Sequence, residues 1–198
     1  MCNEHRNRIP ETAYFELFRD LGGALSWTDR RSNLEPRDSI RIRDQGPVIR
    51  WDTDHAQLTV LPWAWAGPGG KPVFNFRSDG RSFAHSDRCL IPSDGFYEFT
   101  APADAKAKRK ERWLITLAGQ PWFWIAGLIR DGHWAMLTTE PGPDIAPFHD
   151  RQPVVLHRNQ ALDWLTLARP EAELLRTLPA GAFTVEKSGP PMVQGDLF

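Results

Sequence analysis

Apolar residues change their spacing along the chain, and the change separates a predicted helix from predicted strands. In ETAYFELFRDLGG, Tyr14, Phe18 and Leu21 recur at i, i+4 and i+7, which predicts an amphipathic helix that ends at the two following glycines. From Ile40 onward the apolar residues alternate or form short continuous runs, as is typical of strands. These runs are IRIR, QLTVLPW, RCLIP, FYEF, RWLITL, WFWIAGLI, HWAMLTT and PVVL.

Turn-forming residues separate the strand-like runs. Gly119-Gln120 and Asp131-Gly132 fall between three of them and predict hairpins, so we expect an antiparallel meander. Further on, NQALDWLTLA predicts a helix with an asparagine N-cap, PEAELLRTL predicts a second short helix opened by Pro170, and AFTVEK predicts a last strand. The pattern predicts an α+β fold: a strongly curved, mostly antiparallel, barrel-like sheet with a few peripheral helices.

The length and the charge of the chain limit the classes of protein to which it can belong. The 198 residues suit a single domain over residues 1–198 with a full hydrophobic core. The formal net charge is -1, so a nucleic-acid surface would have to be a local patch. No segment resembles a signal peptide or approaches the roughly 18 apolar residues of a membrane span. We therefore expect a cytoplasmic monomer that binds no membrane and needs no cofactor.

The two cysteines, Cys2 and Cys89, do not form a disulfide framework and are expected to be free thiols. Removal of Met1 would leave an α-amine beside the thiol of Cys2. Such an amine has an unperturbed pKa of ~7.7–8.0 and can attack an aldehyde to give a Schiff base. The neighbouring thiol can then close on the imine carbon and form a thiazolidine. An inert cysteine at a frayed terminus is the alternative.

Five polar residues fall at the predicted ends of strands. NFRSDG places Asn75 and Arg77 on one face of an extended segment. Glu98 lies between two aromatic residues, where partial burial would raise its pKa and suit it to proton transfer. PFHDRQPVVL places His149 and Arg151 just before an apolar run. Taken singly, each is also explained as a turn residue, a solvated side chain or a surface ion pair.

Two further features are candidates for nucleic-acid contact. Trp63 and Trp65 share one face if their segment is extended, and they could stack on unpaired bases; core packing is the alternative. The segment 101–112 carries Lys106, Lys108, Arg109, Lys110 and Arg112, which indicates either a solvated hairpin loop or a loop that contacts phosphates.

Taken together, four motifs resemble one known family. Met-Cys at the start, then NFRS, then RCLIPSDGFYEF, then HDRQPVVL occur in the order and at the intervals of the SOS response-associated peptidase (SRAP) family. The resemblance runs from Cys2 to about Leu156, and CLIPSDGFYEF is its most specific part. We therefore expect this chain to have the fold and the activity of that family.

The resemblance implies a protein that binds single-stranded DNA and captures abasic sites, with nucleoid association when bound. The N-terminal cysteine would form a thiazolidine DNA-protein crosslink, a lyase-like enzymatic activity. Asn75 would position that cysteine, and Arg77 and Arg151 would hold phosphates beside the lesion. Glu98 and His149 would move protons during opening of the sugar ring and formation of the imine.

The chain departs from the family pattern at several positions. Glu4 stands where the family has a phosphate-binding arginine, which weakens the case for DNA unless Arg6 or Arg8 substitutes. Asp79 replaces a glutamate and is one methylene shorter. The glycine-rich segment 67–70 interrupts an aromatic stretch, so the contact with bases is expected to differ. The sequence indicates a divergent member.

Three other interpretations stay open. A thiol autopeptidase would use Cys2 as nucleophile, His149 as base, and Glu98 or Asn75 to orient it. A module that binds single-stranded DNA without covalent chemistry would need none of these roles.

The third interpretation is a structural zinc site. It would use Cys2, His5, His85 and Cys89, whose spacing is loose for such a site.

Overall fold

The computed structural model describes residues 2–28, 34–103, 106 and 109–189. Its sixteen strands are β1 Glu4–Asn7, β2 Leu25–Trp27, β3 Arg37–Arg41, β4 Gln45–Asp52, β5 His55–Pro62, β6 Trp65–Ala66, β7 Pro72–Val73, β8 Asn75–Arg77, β9 Arg88–Ser93, β10 Gly95–Thr100, β11 Glu111–Leu117, β12 Phe123–Arg130, β13 His133–Thr139, β14 Gln152–Pro153, β15 Val155–Leu156 and β16 Phe183–Ser188. The α-helices are α1 Glu11–Asp20, α2 Ala161–Thr166 and α3 Glu171–Leu174, and two single 3-10 turns lie at Pro68–Gly70 and Arg158–Gln160.

The strands form two large sheets and one small one. The five-stranded sheet has the order β16-β11-β10-β1-β3. The nine-stranded sheet follows β14-β13-β12-β9-β4-β5-β2, with β15 added at β12 and β8 at β13, while β6 and β7 pair by themselves. Among these strand pairs, only β8 with β13 and β2 with β5 are parallel. The mostly antiparallel α+β fold is thus confirmed, although the described strands form open sheets and not a closed barrel.

The predicted meander is wrong because the chain changes sheets twice within it. β10 and β11 pair in the five-stranded sheet, whereas β9, β12 and β13 pair in the other. Gly119-Gln120 therefore joins strands of different sheets and is not a hairpin turn. Asp131-Gly132 does close the hairpin of β12 and β13, with φ values of 50° and 71° as a type I′ turn requires.

The helices follow the sequence pattern, with one exception. Helix α1 buries Tyr14 and Phe18, as their spacing predicts, and α3 begins directly after Pro170. The predicted asparagine N-cap is wrong: a 3-10 turn precedes α2, and Gln160 Oε1 accepts the backbone N–H of His157 at 2.8 Å. The predicted last strand is β16. No helix of the described ranges is both long and apolar enough to cross a membrane.

The core has two layers, one on each side of the nine-stranded sheet. Adjacent residues of its strands alternate between them: Leu90 packs toward the helices with Phe18, and Ile91 packs toward the five-stranded sheet with Phe96. Cys2 belongs to the second layer. The side chain of Cys2 therefore packs between the two sheets.

Trp63 and Trp65 are core residues, as the packing alternative predicts. The indole of Trp63 stacks on Trp134 with centroids 4.8 Å apart, and Trp65 packs in the helix-side layer. They do not share a face, because Ala64 between them has a φ of 82°. Both side chains are buried, so the prediction that they stack on bases is wrong for this conformation.

Candidate functional site

Strand β1 places Cys2 inside the molecule. β1 lies between β10 and β3, with His5 opposite both Phe96 and Ile40. Cys2 is 1% exposed, and its thiol donates to the carbonyl oxygen of Glu4 at 3.4 Å. The frayed-terminus alternative is therefore wrong for Cys2, while Met1 lies outside the described residues.

The thiol of Cys2 is held in its neutral form. Burial raises its pKa well above the ordinary value, and the nearby negative charge of Glu98 raises the pKa further. Glu98 is thus near enough to the thiol to act on it electrostatically. The site therefore combines a protonated sulfur with an adjacent carboxyl group.

Asn75 reaches the backbone of Cys2 across 73 positions of sequence. Its Nδ2 donates to the Cys2 carbonyl oxygen at 2.8 Å. β8 carries Asn75 beside β13, opposite Met136. Its Oδ1 is buried, with no hydrogen-bond partner among the described residues. The amide thus fixes the position of Cys2 and keeps one acceptor unused.

Glu98 is a buried carboxyl group whose pKa lies near neutrality. It is 1% exposed on β10. Burial raises its pKa from 4.5 to about 7, and the negative charge of Asp150 acts in the same direction. A carboxyl group with that pKa both donates and accepts protons near pH 7.

His149 lies between β13 and β14 with its ring partly exposed. Burial lowers the pKa of its imidazole below the ordinary value, so the neutral ring predominates near pH 7. Nδ1 accepts the backbone N–H of Arg151 at 2.9 Å and lies 2.8 Å from Asp150 Oδ1. Nδ1 can accept from Arg151 only when it carries no proton, and it can donate to Asp150 only when it is protonated. Protonation of Nδ1 therefore replaces the Arg151 contact with the Asp150 contact.

Arg77 and Arg151 both adjoin Thr138 of β13. Arg77 is exposed and stands opposite Thr138 in the parallel pairing. Arg151 is buried, and its Nη2 donates to the Thr138 carbonyl oxygen at 2.7 Å. The same nitrogen lies 2.5 Å from Asp79 Oδ2.

Asp79, which Thr139 also binds through Oγ1 at 3.2 Å, has a lowered pKa. Burial alone would raise that pKa, but the hydrogen bond and the charge of Arg151 outweigh it. A phosphate that binds Arg151 therefore competes with a carboxylate.

Glu4 points inward and does not face solvent. Its Oε1 accepts from Arg112 Nη2 at 2.8 Å and from Ser39 Oγ at 2.5 Å. Arg112 is 7% exposed, so it is not part of a solvated loop; Lys108 of the same basic segment lies outside the described residues. The negative charge of Glu4 is thus paired with the positive charge of Arg112 inside the protein.

The two arginines proposed to replace the phosphate contact share one aspartate. Arg6 Nε lies 2.9 Å from Asp94 Oδ2 and its side chain is 12% exposed. Arg8 Nε also binds Asp94 Oδ2, at 3.1 Å, but 49% of its side chain is exposed. Arg8 is therefore the more accessible cation.

The zinc interpretation is not supported by the arrangement of its residues. Among the described residues, no group of three histidine, cysteine, aspartate or glutamate side chains is placed to hold a metal ion. His5 packs edge-on against Trp63 and Trp134, and His85 is exposed whereas Cys89 is buried.

Sequence reasoning missed two neighbours of the site. Asp150 lies against His149 and acts on the pKa of Glu98. Trp113 stands directly opposite Glu98 in the pairing of β10 with β11. Asp150 follows His149 in sequence and could have been proposed. Trp113 could not, because its position depends on the register of two strands.

Comparisons with known proteins identify the family of this chain. The sequence model of the family described as SOS response associated peptidase (SRAP) matches residues 1–187. The abasic site processing protein YoaM of Bacillus subtilis is 30% identical over 137 residues, which cover 60% of this chain and 58% of YoaM. The abasic site processing protein YoqW of the same organism is 31% identical over 135 residues, 60% of this chain and 59% of YoqW. The chain thus spans about three-fifths of the length of these curated relatives.

Solved structures share the fold. A phage-related protein of Bordetella bronchiseptica superimposes with a TM-score of 0.69 at 24% identity, covering 94% of each chain. A protein of Bacteroides thetaiotaomicron gives 0.67 at 17% identity, covering 94% of this chain and 91% of its own. With the family match over nearly the whole length, these findings show that the chain belongs to the SRAP family.

Proposed function

We propose that the protein binds single-stranded DNA and captures abasic sites through a thiazolidine crosslink made by Cys2 after Met1 is removed. The observation that carries the proposal is the Asn75–Cys2 hydrogen bond beside the buried carboxyl of Glu98. The relatives YoaM and YoqW are named for abasic site processing, which supports the substrate class.

The reaction balances with the groups at the site. The α-amine of Cys2 adds to the C1′ aldehyde of the ring-opened deoxyribose and gives a carbinolamine. Protonated Glu98 donates to the departing hydroxyl, which leaves as water, and recovers a proton from nitrogen. The sulfur then bonds to the imine carbon while the thiol proton goes to the nitrogen. One water is lost overall, and no oxidant is consumed.

Burial suits the sulfur to this final step. A thiol that stays protonated does not react in advance with oxidants or disulfides. It loses its proton only as the carbon–sulfur bond forms, beside a carboxyl group that can relay it. The same raised pKa opposes the thiol autopeptidase, which requires a thiolate or a thiol activated by a base.

The phosphates of the strand would meet Arg77 first. Arg77 is exposed and pairs in register with Thr138, whose carbonyl oxygen binds the buried Arg151. Charge-assisted bonds from arginine to phosphate position a strand without reading its bases. His149, next to Arg151 in sequence, is the second group that can move a proton when the sugar ring opens.

A denaturing gel tests the proposal. The Met1-processed protein, checked by intact mass, is incubated with a single-stranded oligonucleotide that carries one abasic site. We expect a heat-stable shifted band that is absent with a tetrahydrofuran analogue, which has no aldehyde, and absent with Cys2→Ala. Reversible, salt-sensitive binding without a band would instead support the non-covalent module. Cleavage of an N-terminally extended form that Cys2→Ala abolishes would support the peptidase.

A further inference from the structure

A row of three side chains leads from the interior of the site to the surface. Glu98 on β10 stands opposite Trp113 on β11, and Trp113 stands opposite Lys187 on β16. Residues directly opposite in antiparallel strands project to the same face of a sheet, so the three lie side by side. Exposure rises along the row: Glu98 is 1% exposed, Trp113 is half-buried, and the Lys187 side chain is 60% exposed.

We propose that Trp113 and Phe148 form a stacking subsite for one unpaired base of single-stranded DNA, adjacent to the abasic sugar, with Lys187 at its outer rim. The ligand in this inference rests on the proposed function. The subsite itself rests on the geometry of the aromatic pair and on the register that places Trp113 opposite Glu98.

The aromatic pair is held in place and partly exposed. The rings of Trp113 and Phe148 have centroids 5.0 Å apart and planes at 58°. Trp113 Nε1 donates to Thr100 Oγ1 at 2.8 Å, which fixes the orientation of the indole. Phe148 immediately precedes His149 and Trp113 stands opposite Glu98, so the pair adjoins two groups of the site. A fixed aromatic surface binds a base at a low cost in conformational entropy.

Trp113 differs in position from the other tryptophans. Of the nine, Trp27, Trp51 and Trp113 are half-buried, and the rest are buried. Trp27 and Trp51 pack against the helix-side core, away from Cys2. Trp113 alone of these three stands beside Glu98. The base-stacking role first expected of Trp63 and Trp65 therefore suits Trp113 better.

The charges at the rim fit a nucleic-acid strand. Lys187 Nζ lies 5.8 Å from the Trp113 ring centroid. The exposed Lys110 acts on His149 electrostatically and lowers its pKa. Lys187 also binds Glu111 Oε1 at 2.7 Å, but an ammonium group has three donors and can bind a phosphate as well. Aromatic surfaces flanked by cations are the usual means of binding single strands.

The subsite is tested by measuring DNA affinity after substitution of Trp113, after removal of one base, and after both changes. These measurements do not require the crosslink to form. Binding is measured with an oligonucleotide that carries a tetrahydrofuran site, and with two others in which the base on the 5′ or the 3′ side is also replaced by tetrahydrofuran. We expect the wild-type protein to lose roughly tenfold in affinity when one of these bases is absent. Trp113→Ala should bind the first oligonucleotide roughly tenfold more weakly and be insensitive to the same base removal.

Two variants control for general damage. Trp113→Phe keeps an aromatic ring and should recover most of the sensitivity, and Trp51→Ala, a half-buried tryptophan outside the site, should keep it in full. Thermal melts establish that each variant is folded. A Trp113→Ala protein that remains as sensitive as wild type to removal of either base would overturn the subsite. So would a wild-type protein indifferent to both bases.

The proposed function has a separate readout. Met1-processed wild-type protein is incubated with deoxyribose 5-phosphate, which has an aldehyde but no base, and the adduct is sought by mass spectrometry. Absence of the adduct together with absence of the gel band overturns covalent capture, whatever the binding cycle gives. Formation of the adduct with no base dependence in binding overturns the subsite alone.

Discussion

The side-chain amide of Asn75 donates a 2.8 Å hydrogen bond to the carbonyl oxygen of Cys2. The bond joins β8, at the edge of the nine-stranded sheet, to the start of the chain beside the five-stranded sheet. The site is therefore assembled only when both sheets are packed together. It is held by a contact that acts on the backbone and leaves the amine and thiol of Cys2 for chemistry.

Removal of this contact should slow crosslinking more than it reduces stability. We expect Asn75→Ala to lower the single-turnover rate of crosslinking by about 10²-fold, because a misplaced reacting group loses most of the advantage of proximity. The free energy of unfolding should fall by only about 1 kcal/mol, typical of one neutral hydrogen bond. Gel kinetics and urea unfolding measure the two effects. Equal rates in variant and wild type would contradict the positioning role.

Glu98→Gln should remove a pH dependence near neutrality. The folded protein holds this carboxyl with a pKa of about 7, against 4.5 for an ordinary glutamate. The folded state therefore binds the extra proton, and the associated stability, roughly 3 kcal/mol, is present below pH 4.5 and lost as the pH rises through 7. The melting temperature of the wild type relative to that of Glu98→Gln should therefore fall as the pH rises from 4.5 to 8, because the opposite contribution of His5 is common to both proteins.

The same variant tests the proton-transfer role. We expect crosslinking by Glu98→Gln to be slower by 10²- to 10⁴-fold, the usual range for loss of a general acid or base. Glu98→Asp, which keeps a carboxyl group, should recover part of the rate. A Glu98→Gln rate equal to that of the wild type at every pH from 5 to 9 would leave the carboxyl without that role.

His5 should destabilise the fold as the pH falls. Its imidazole is fully buried against Trp63 and Trp134, and burial lowers its pKa from 6.5 to about 3. The unfolded state takes up a proton that the folded state refuses, so stability falls as the pH drops from 6.5 toward 3. Both ring nitrogens are buried, with no hydrogen-bond partner among the described residues.

Replacement of His5 by phenylalanine should remove this loss of stability at low pH. His5→Phe keeps an aromatic ring among the two indoles and removes the two unsatisfied nitrogens, so we expect it to be neutral or to stabilise by about 1–3 kcal/mol. Urea midpoints at pH 7 and pH 5 measure both effects, and His133→Phe, at the half-buried first residue of β13, is the control. A wild-type midpoint that does not fall relative to the variant at pH 5 would contradict the prediction.

Glu4→Arg should destabilise the protein. The substitution restores the residue that the family carries, but here it would bury a second guanidinium against Arg112, which lies 2.8 Å from the Glu4 carboxylate. We expect a loss of about 3–5 kcal/mol, as when one partner of a buried pair is removed. The double variant Glu4→Leu with Arg112→Met should recover most of it. Thermal melts of the three proteins compare them.

Local pattern was sufficient to predict several parts of the fold and the site. Helix α1, the strand segments and the hairpin at Asp131-Gly132 follow from spacing and turn chemistry, which act over a few residues. The resemblance of the motifs to the SRAP family indicated the fold and selected Asn75, which binds the Cys2 carbonyl oxygen, and Glu98, which acts on the pKa of the Cys2 thiol. Even the direction of the pKa shift of Glu98 follows from its aromatic neighbours.

Tertiary structure decided the rest, because it depends on contacts between distant segments. The division of one apparent meander into two sheets, the burial of Trp63 and Trp65, and the pairing of Glu4 with Arg112 across 108 positions are not encoded in any local pattern. Trp113 stands beside Glu98 only through strand register, and a slip of one residue would turn it to the other face. Sequence alone thus determined which chemical groups the protein carries, whereas packing decided which of them meet.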